Sequence, residues 1–112
     1  MSYNVNQITF WTSKIFENGS PKTSSTVLFR GTTSEIFYFY SKDQNATYFI
    51  DICIAGSWHQ VATGGITKDT LTVVTLAYYA PMVRVRVTAS AWPTEVTAEA
   101  YGQPSVYVNI DG

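Results

Sequence analysis

The stretch Pro81 to Ser90, PMVRVRVTAS, alternates apolar and polar side chains, with Val83, Val85 and Val87 on one side and Arg84, Arg86 and Thr88 on the other. Successive side chains leave a pleated strand on opposite faces, so a period of two marks a strand with one face in a core and the other outside it. The segment assigns the chain to the β class. Working outward, Thr94 to Tyr101 repeats the period with Val96, Ala98 and Ala100 on its apolar side, and Ala91-Trp92-Pro93 separates the two runs. The pair is expected to form an antiparallel hairpin with Ala89 opposite Thr94. That register sets Arg84 against Glu99, Arg86 against Thr97 and Thr88 against Glu95, so that Arg84, Arg86, Glu95 and Glu99 make an exposed charge ladder. Such a ladder is either a solvated sheet face or a subunit contact, where the planar guanidinium of arginine is favoured.

The rest of the chain divides into short β-type runs broken by turn residues. Gln7 to Phe16 is rich in aromatic and β-branched residues, and Glu17 to Lys22, ENGSPK, stops it. A short apolar run follows from Thr26 to Arg30, then Glu35 to Tyr40, EIFYFY, with Ser41 to Asn45 as the turn after it. Thr47 to Ala55 sets Tyr48, Ile50, Ile52 and Ile54 on one face and Phe49, Asp51 and Cys53 on the other, and is expected to pair with EIFYFY. Gly56-Ser57 turns into Trp58 to Ala62, and Gly64-Gly65 is expected to break the chain again. Thr70 to Ala77 and Ser105 to Ile110 complete the set, Pro81 being tolerated as the first residue of its strand. Eight or nine strands without an amphipathic helix, in 112 residues, predict one domain spanning residues 1–112. The expected architecture is all-β, a two-sheet antiparallel β-sandwich with jelly-roll-like connections. An immunoglobulin-like sandwich is the alternative, without its usual cysteine pair.

Composition narrows function by exclusion. Charged residues are 13% of the chain against a typical value of about 25%. Much of the polar surface is therefore Thr, Ser, Asn, Gln and Tyr, which suits packing against copies of the same chain or presenting hydroxyls and rings to a ligand. A net charge of −1 with seven scattered Lys and Arg argues against nucleic-acid binding through phosphates. The start, MSYNVNQ, has no basic or apolar signal region, and no apolar run approaches the roughly 20 residues of a membrane span, so neither a signal peptide nor a membrane span is expected.

Cys53 is the single cysteine, so the fold cannot rely on an internal disulfide; such a thiol commonly behaves as a small buried hydrophobe. His59, the single histidine, lies in the adjacent segment, and a Cys53–His59 hydrolase is a minor reading. The carboxylates, among them Glu35, Asp43, Asp51, Asp69, Glu95, Glu99 and Asp111, are spread along the chain, with no spacing that specifies a glycosidase pair or a calcium loop. There is no phosphate-binding glycine loop, serine elbow or metal-ligand motif, so the expectation is a protein that is not an enzyme, with no catalytic residue, metal or cofactor. Among eight Tyr, six Phe and three Trp, four rings lie beside turns: Trp58, Trp92, Tyr78 and Tyr79. They are candidate binding residues, able to stack on sugars or anchor a partner, or else plugs at the ends of the sandwich.

The second half, from GSWHQVATGGI through TLTVVTLAYYAPMVRVRVTAS to TEVTAEAYG, resembles small β-sandwich proteins encoded by phages, prophages and archaeal viruses. Gly56 and Trp58 carry the turn of that pattern, and Tyr79, Pro81, Val83, Arg84, Val85, Arg86, Val87 and Thr88 its longest strand, over roughly residues 56–102. The resemblance implies a virion component such as a coat, turret, decoration or tail-associated protein. It would be located in the virion or the host cytoplasm and act by association with itself or with other virion proteins. The alternative is a carbohydrate-binding module or lectin-like domain with a glycan as partner.

Overall fold

Alternation of burial along β-branched and aromatic runs is the organising feature of the computed structural model, which describes residues 6–16, 22–24, 26–28, 32–77, 82–91 and 93–104. In chain order the strands are β1 (Asn6–Phe16), β2 (Lys22–Thr23), β3 (Val27–Leu28), β4 (Thr32–Lys42), β5 (Ala46–Ile54), β6 (Ser57–Ile66), β7 (Thr72–Leu76), β8 (Met82–Ala89) and β9 (Thr94–Pro104). No helix occurs among the described residues. In β8, Val83, Val85, Val87 and Ala89 are buried while Met82, Arg84, Arg86 and Thr88 are half-buried on the other face. Strand β9 repeats this with Thr94, Val96, Ala98 and Ala100 inside, and β4 with Glu35, Phe37, Phe39 and Ser41 inside. The expected strand over Ser105 to Ile110 lies outside the described residues.

Two antiparallel sheets form a β-sandwich. Sheet I has the order β1-β9-β4-β7, and sheet II the order β2-β8-β5-β6, with β3 also on β8. Strands β2 and β3 lie in line along β8, opposite Val87–Arg86 and Val83–Met82, and act as one interrupted edge strand. Ser24 bridges the interruption: its N–H donates to Val85 O at 2.9 Å, and its hydroxyl oxygen accepts from Val85 N at 2.9 Å. With β2 and β3 counted as one, the strands pair first with last inward: β1 with β9, β2–β3 with β8, β4 with β7, and β5 with β6. That nested pairing, rolled across two sheets, is the jelly roll. It rules out the immunoglobulin-like alternative.

Two expected pairings are not formed. Strands β4 and β5 belong to different sheets, and so do β8 and β9. The links between them cross the sandwich instead of folding back within a sheet. At their ends, Ser90 donates both its N–H and its hydroxyl to Asn45 O at 2.8 Å, while Thr94 donates its hydroxyl to Lys42 O at 2.8 Å. Periodicity identifies the face that meets the core, and both sheets meet the same core, so the valines of β8 and the alanines of β9 are correctly inward but on opposite walls.

The β5–β6 connection is the within-sheet hairpin, turning at Ala55 (φ 51°) and Gly56 (φ 79°). Two positive φ values in a two-residue loop match the right-handed twist of the flanking strands. Gly64 and Gly65 do not break the chain; β6 runs through them to Ile66. The Tyr48 ring lies over Gly64, where a Cβ would come within 2.7 Å of its hydroxyl. Glycine here marks a close approach, not a turn.

The core is filled by a row of rings, three from sheet I and one from sheet II, packed against branched aliphatics. Phe37 and Phe39 of β4 stand beside Ala100 and Ala98 of β9, whose small side chains leave room for them. Phe10, Phe37, Phe39 and Tyr48 form a row with successive centroids 6.2, 6.4 and 4.9 Å apart. Val83, Val85, Val87, Ile50 and Ile52 of sheet II close against them.

Candidate functional site

The sandwich has two outward faces, and the arginines of β8 organise one of them. On sheet II the register aligns Arg84 with Asp51 and Arg86 with Phe49, while Asp51 in turn aligns with Gln60 and Cys53 with Trp58. Aligned residues in an antiparallel pair project to the same face, so these side chains share one surface. A one-residue shift in β6 between the partners of Ile50 and Asp51 sets this alignment. Without it Asp51 would meet Val61, and Gln60 would turn away.

Asp51 holds the cluster together. Arg84 Nε donates to its Oδ2 at 2.9 Å, Arg86 Nε donates to the same oxygen at 2.7 Å, and Arg86 Nη2 donates to Oδ1 at 3.0 Å. Arg86 Nη2 also donates to Gln60 Oε1 at 3.0 Å. Each guanidinium lies over a ring, Arg84 over Trp58 at 4.3 Å and Arg86 over Phe49 at 4.5 Å. The Asp51 side chain is 3% exposed, whereas those of Arg84 and Arg86 keep 28% and 25% of their area. Burial pushes the Asp51 carboxyl up, but the hydrogen bonds and charges of Arg86 and Arg84 outweigh it and hold it below the usual carboxylate range. The same hydrogen bond, against a smaller opposing effect of burial, raises Arg86.

The expected ladder of Arg84 and Arg86 with Glu95 and Glu99 is therefore absent, because the glutamates lie in sheet I. Their true partner went unrecognised. Its signal was present in the alternation itself: Asp51 is the one charged residue of β5 and falls on the outward side of YFIDICI.

On the outer face of sheet I, Tyr38 aligns with both Glu99 and Val73, and Ile36 with Tyr101. Tyr101 OH donates to Glu99 Oε2 at 3.1 Å, and the carboxylate, helped by burial, raises the pKa of this phenol. The Tyr38 and Tyr101 rings meet edge to face at 5.5 Å. With Leu71 and Glu99 they line an open groove of about 330 Å³. Leu71 is 57% exposed and Val73 53%. Glu95 lies further along, aligned with Lys42, in a smaller depression of about 180 Å³ shared with Ile15, Asp43, Pro93 and Thr94.

No family model, curated protein or solved structure matches the chain. Trp58 is half-buried near the start of β6, with one face of its ring beneath Arg84; Trp92, Tyr78 and Tyr79 lie outside the described residues. Cys53 and His59 are turned to opposite faces of the β5–β6 pair, since Cys53 aligns with Trp58 and His59 with Ile52. Among the described residues no three His, Cys, Asp or Glu side chains gather as metal ligands, and no helix is long and apolar enough to cross a membrane. What this arrangement can do is present two pre-positioned surfaces, one of guanidiniums on rings and one of tyrosines, aliphatics and a carboxylate.

Proposed function

We propose that the protein is a non-enzymatic structural protein of a virus particle, a coat, turret, decoration or tail-associated component that works by self-association. The observation that supports this most is the outer face of sheet I, where the exposed Leu71 and Val73 and the half-buried Ile36, Tyr38 and Tyr101 form a stripe around a single carboxylate, Glu99. Contiguous exposed apolar surface on a small domain marks an interaction site. The jelly-roll order is compatible with this, being common in capsid proteins, but lectin-type domains share it and topology alone does not choose. Light scattering after size exclusion, over a series of concentrations, tests the association. A strictly monomeric protein would remove the reading, and absence of the chain from purified particles, by mass spectrometry, would remove its virion part.

A second reading, a carbohydrate-binding module, draws on the groove between Tyr38 and Tyr101, whose rings and Glu99 carboxylate suit a sugar's C–H face and hydroxyls. A glycan array tests it with Tyr38→Ala and Tyr101→Ala controls. Lack of binding by the wild type, or binding unchanged by both substitutions, disposes of it.

A further inference from the structure

The two outer faces are complementary in charge and in kind. Among the described residues, sheet II turns Arg84, Arg86 and Asp51 outward, one net positive charge, while sheet I turns Glu95 and Glu99 outward with Lys42 beside Glu95, one net negative charge. Lys14 and Lys22, on edge strands, align with the buried Val96 and Val87 and belong to neither outer face.

We infer that these faces dock on one another between copies: sheet II of one copy seats on sheet I of the next, with Arg84 and Arg86 against Tyr38, Tyr101 and Glu99. The inference rests on the self-association reading and specifies its geometry. Among the described residues Arg84 spends only its Nε, so its Nη donors have capacity for a second carboxylate. Each guanidinium already has one face on a ring of its own chain, and a tyrosine of the neighbouring copy would cover the other. Arginine, tyrosine and tryptophan are also the residues that dominate interface energies.

The two faces lie on opposite sides of the sandwich, so the contact is heterologous. Every copy keeps one face open, and the assembly grows as a stack instead of closing as a dimer. Four strands about 4.8 Å apart and eight residues long at about 3.3 Å per residue cover roughly 500 Å² per copy, below the roughly 800 Å² per partner of a standard stable interface. Each contact is weak, and mass should rise with concentration without a fixed end point.

Reciprocal charge reversal, read by sedimentation velocity over a concentration series, tests this. Arg84→Glu and Glu99→Arg should each weaken association about tenfold or more, by setting like charges against each other. An equal mixture of the two should restore it, since each altered face then meets the other's altered face and each unaltered face its natural partner. Because Arg84→Glu also adds a carboxylate beside Asp51 and can loosen sheet II, Val73→Lys serves as a second variant at a position 53% exposed. It should weaken association with unchanged thermal unfolding. A wild type monomeric at every concentration removes the self-association reading and this inference with it, and glycan binding through Tyr38 by that monomer would assign the groove to sugar. A wild type that associates, but is unaffected by Glu99→Arg and Val73→Lys or is not rescued in the mixture, overturns the face pairing alone.

Discussion

At the scale of single residues, Asp51 is a nearly buried carboxylate that stays charged because two arginines donate to it. Replacing it by asparagine leaves two guanidiniums with a weaker acceptor, though both remain partly in water. The expected loss is about 2 kcal/mol, measured by urea unfolding at neutral pH. Its carboxyl titrates lower in the folded chain than the roughly 3.9 of an unfolded one, so its contribution is fully present above that value. That contribution fades as pH falls through the folded pKa, because protonation then costs the native state its hydrogen bonds. The stability gap between wild type and Asp51→Asn should therefore be flat above about pH 5 and narrow below about pH 4. A gap that widens on acidification would contradict this account.

At the scale of elements, β6 shows how one strand uses two adjacent glycines differently. Gly64 lies beneath Tyr48, itself stacked on Phe39 at 4.9 Å, so the ring has little room to withdraw from a new methyl group. Gly64→Ala should cost about 1–2 kcal/mol by overpacking. Gly65 has nothing within 4 Å of a Cβ, and its φ is not positive. Gly65→Ala should be neutral or stabilising by about 0.5 kcal/mol, through the unfolded chain. Thermal unfolding of both variants checks the contrast. In sequence the glycine pair resembles a turn, because local chemistry signals chain reversal and close approach with the same residue. Where the signal is periodic the elements were legible: β8 and β9 bury the side that alternation assigns them, and β5 buries Ile50 and Ile52, although Ile54 at its end is exposed and Asp51 on its other side is buried. The candidate site was half legible. Arg84 and Arg86 were recognisable as one outward pair, but Asp51, which holds them, was not, since its partnership depends on β5 lying beside β8.

At the scale of the whole molecule, the nested order places β1 against β9 and β2–β3 against β8, pairs separated by most of the chain. Among the described strands only β5–β6 is a local hairpin. Closing such distant pairs costs loop entropy before contacts repay it, so refolding should take milliseconds to seconds. Stopped-flow fluorescence measures this, and a microsecond phase carrying the whole amplitude would contradict it. What the amino-acid sequence determined by itself is the β class, the inward and outward sides of β8 and β9 and the low charge of the surface. All of these follow from side-chain chemistry and a period of two. Only the tertiary structure decided that successive strands cross between sheets and that the PMVRVRVTAS arginines meet Asp51, not Glu95 and Glu99. The physical reason is that both walls of a sandwich bury the same kind of side chain, so a strand's pattern tells it to face the core without telling it from which wall.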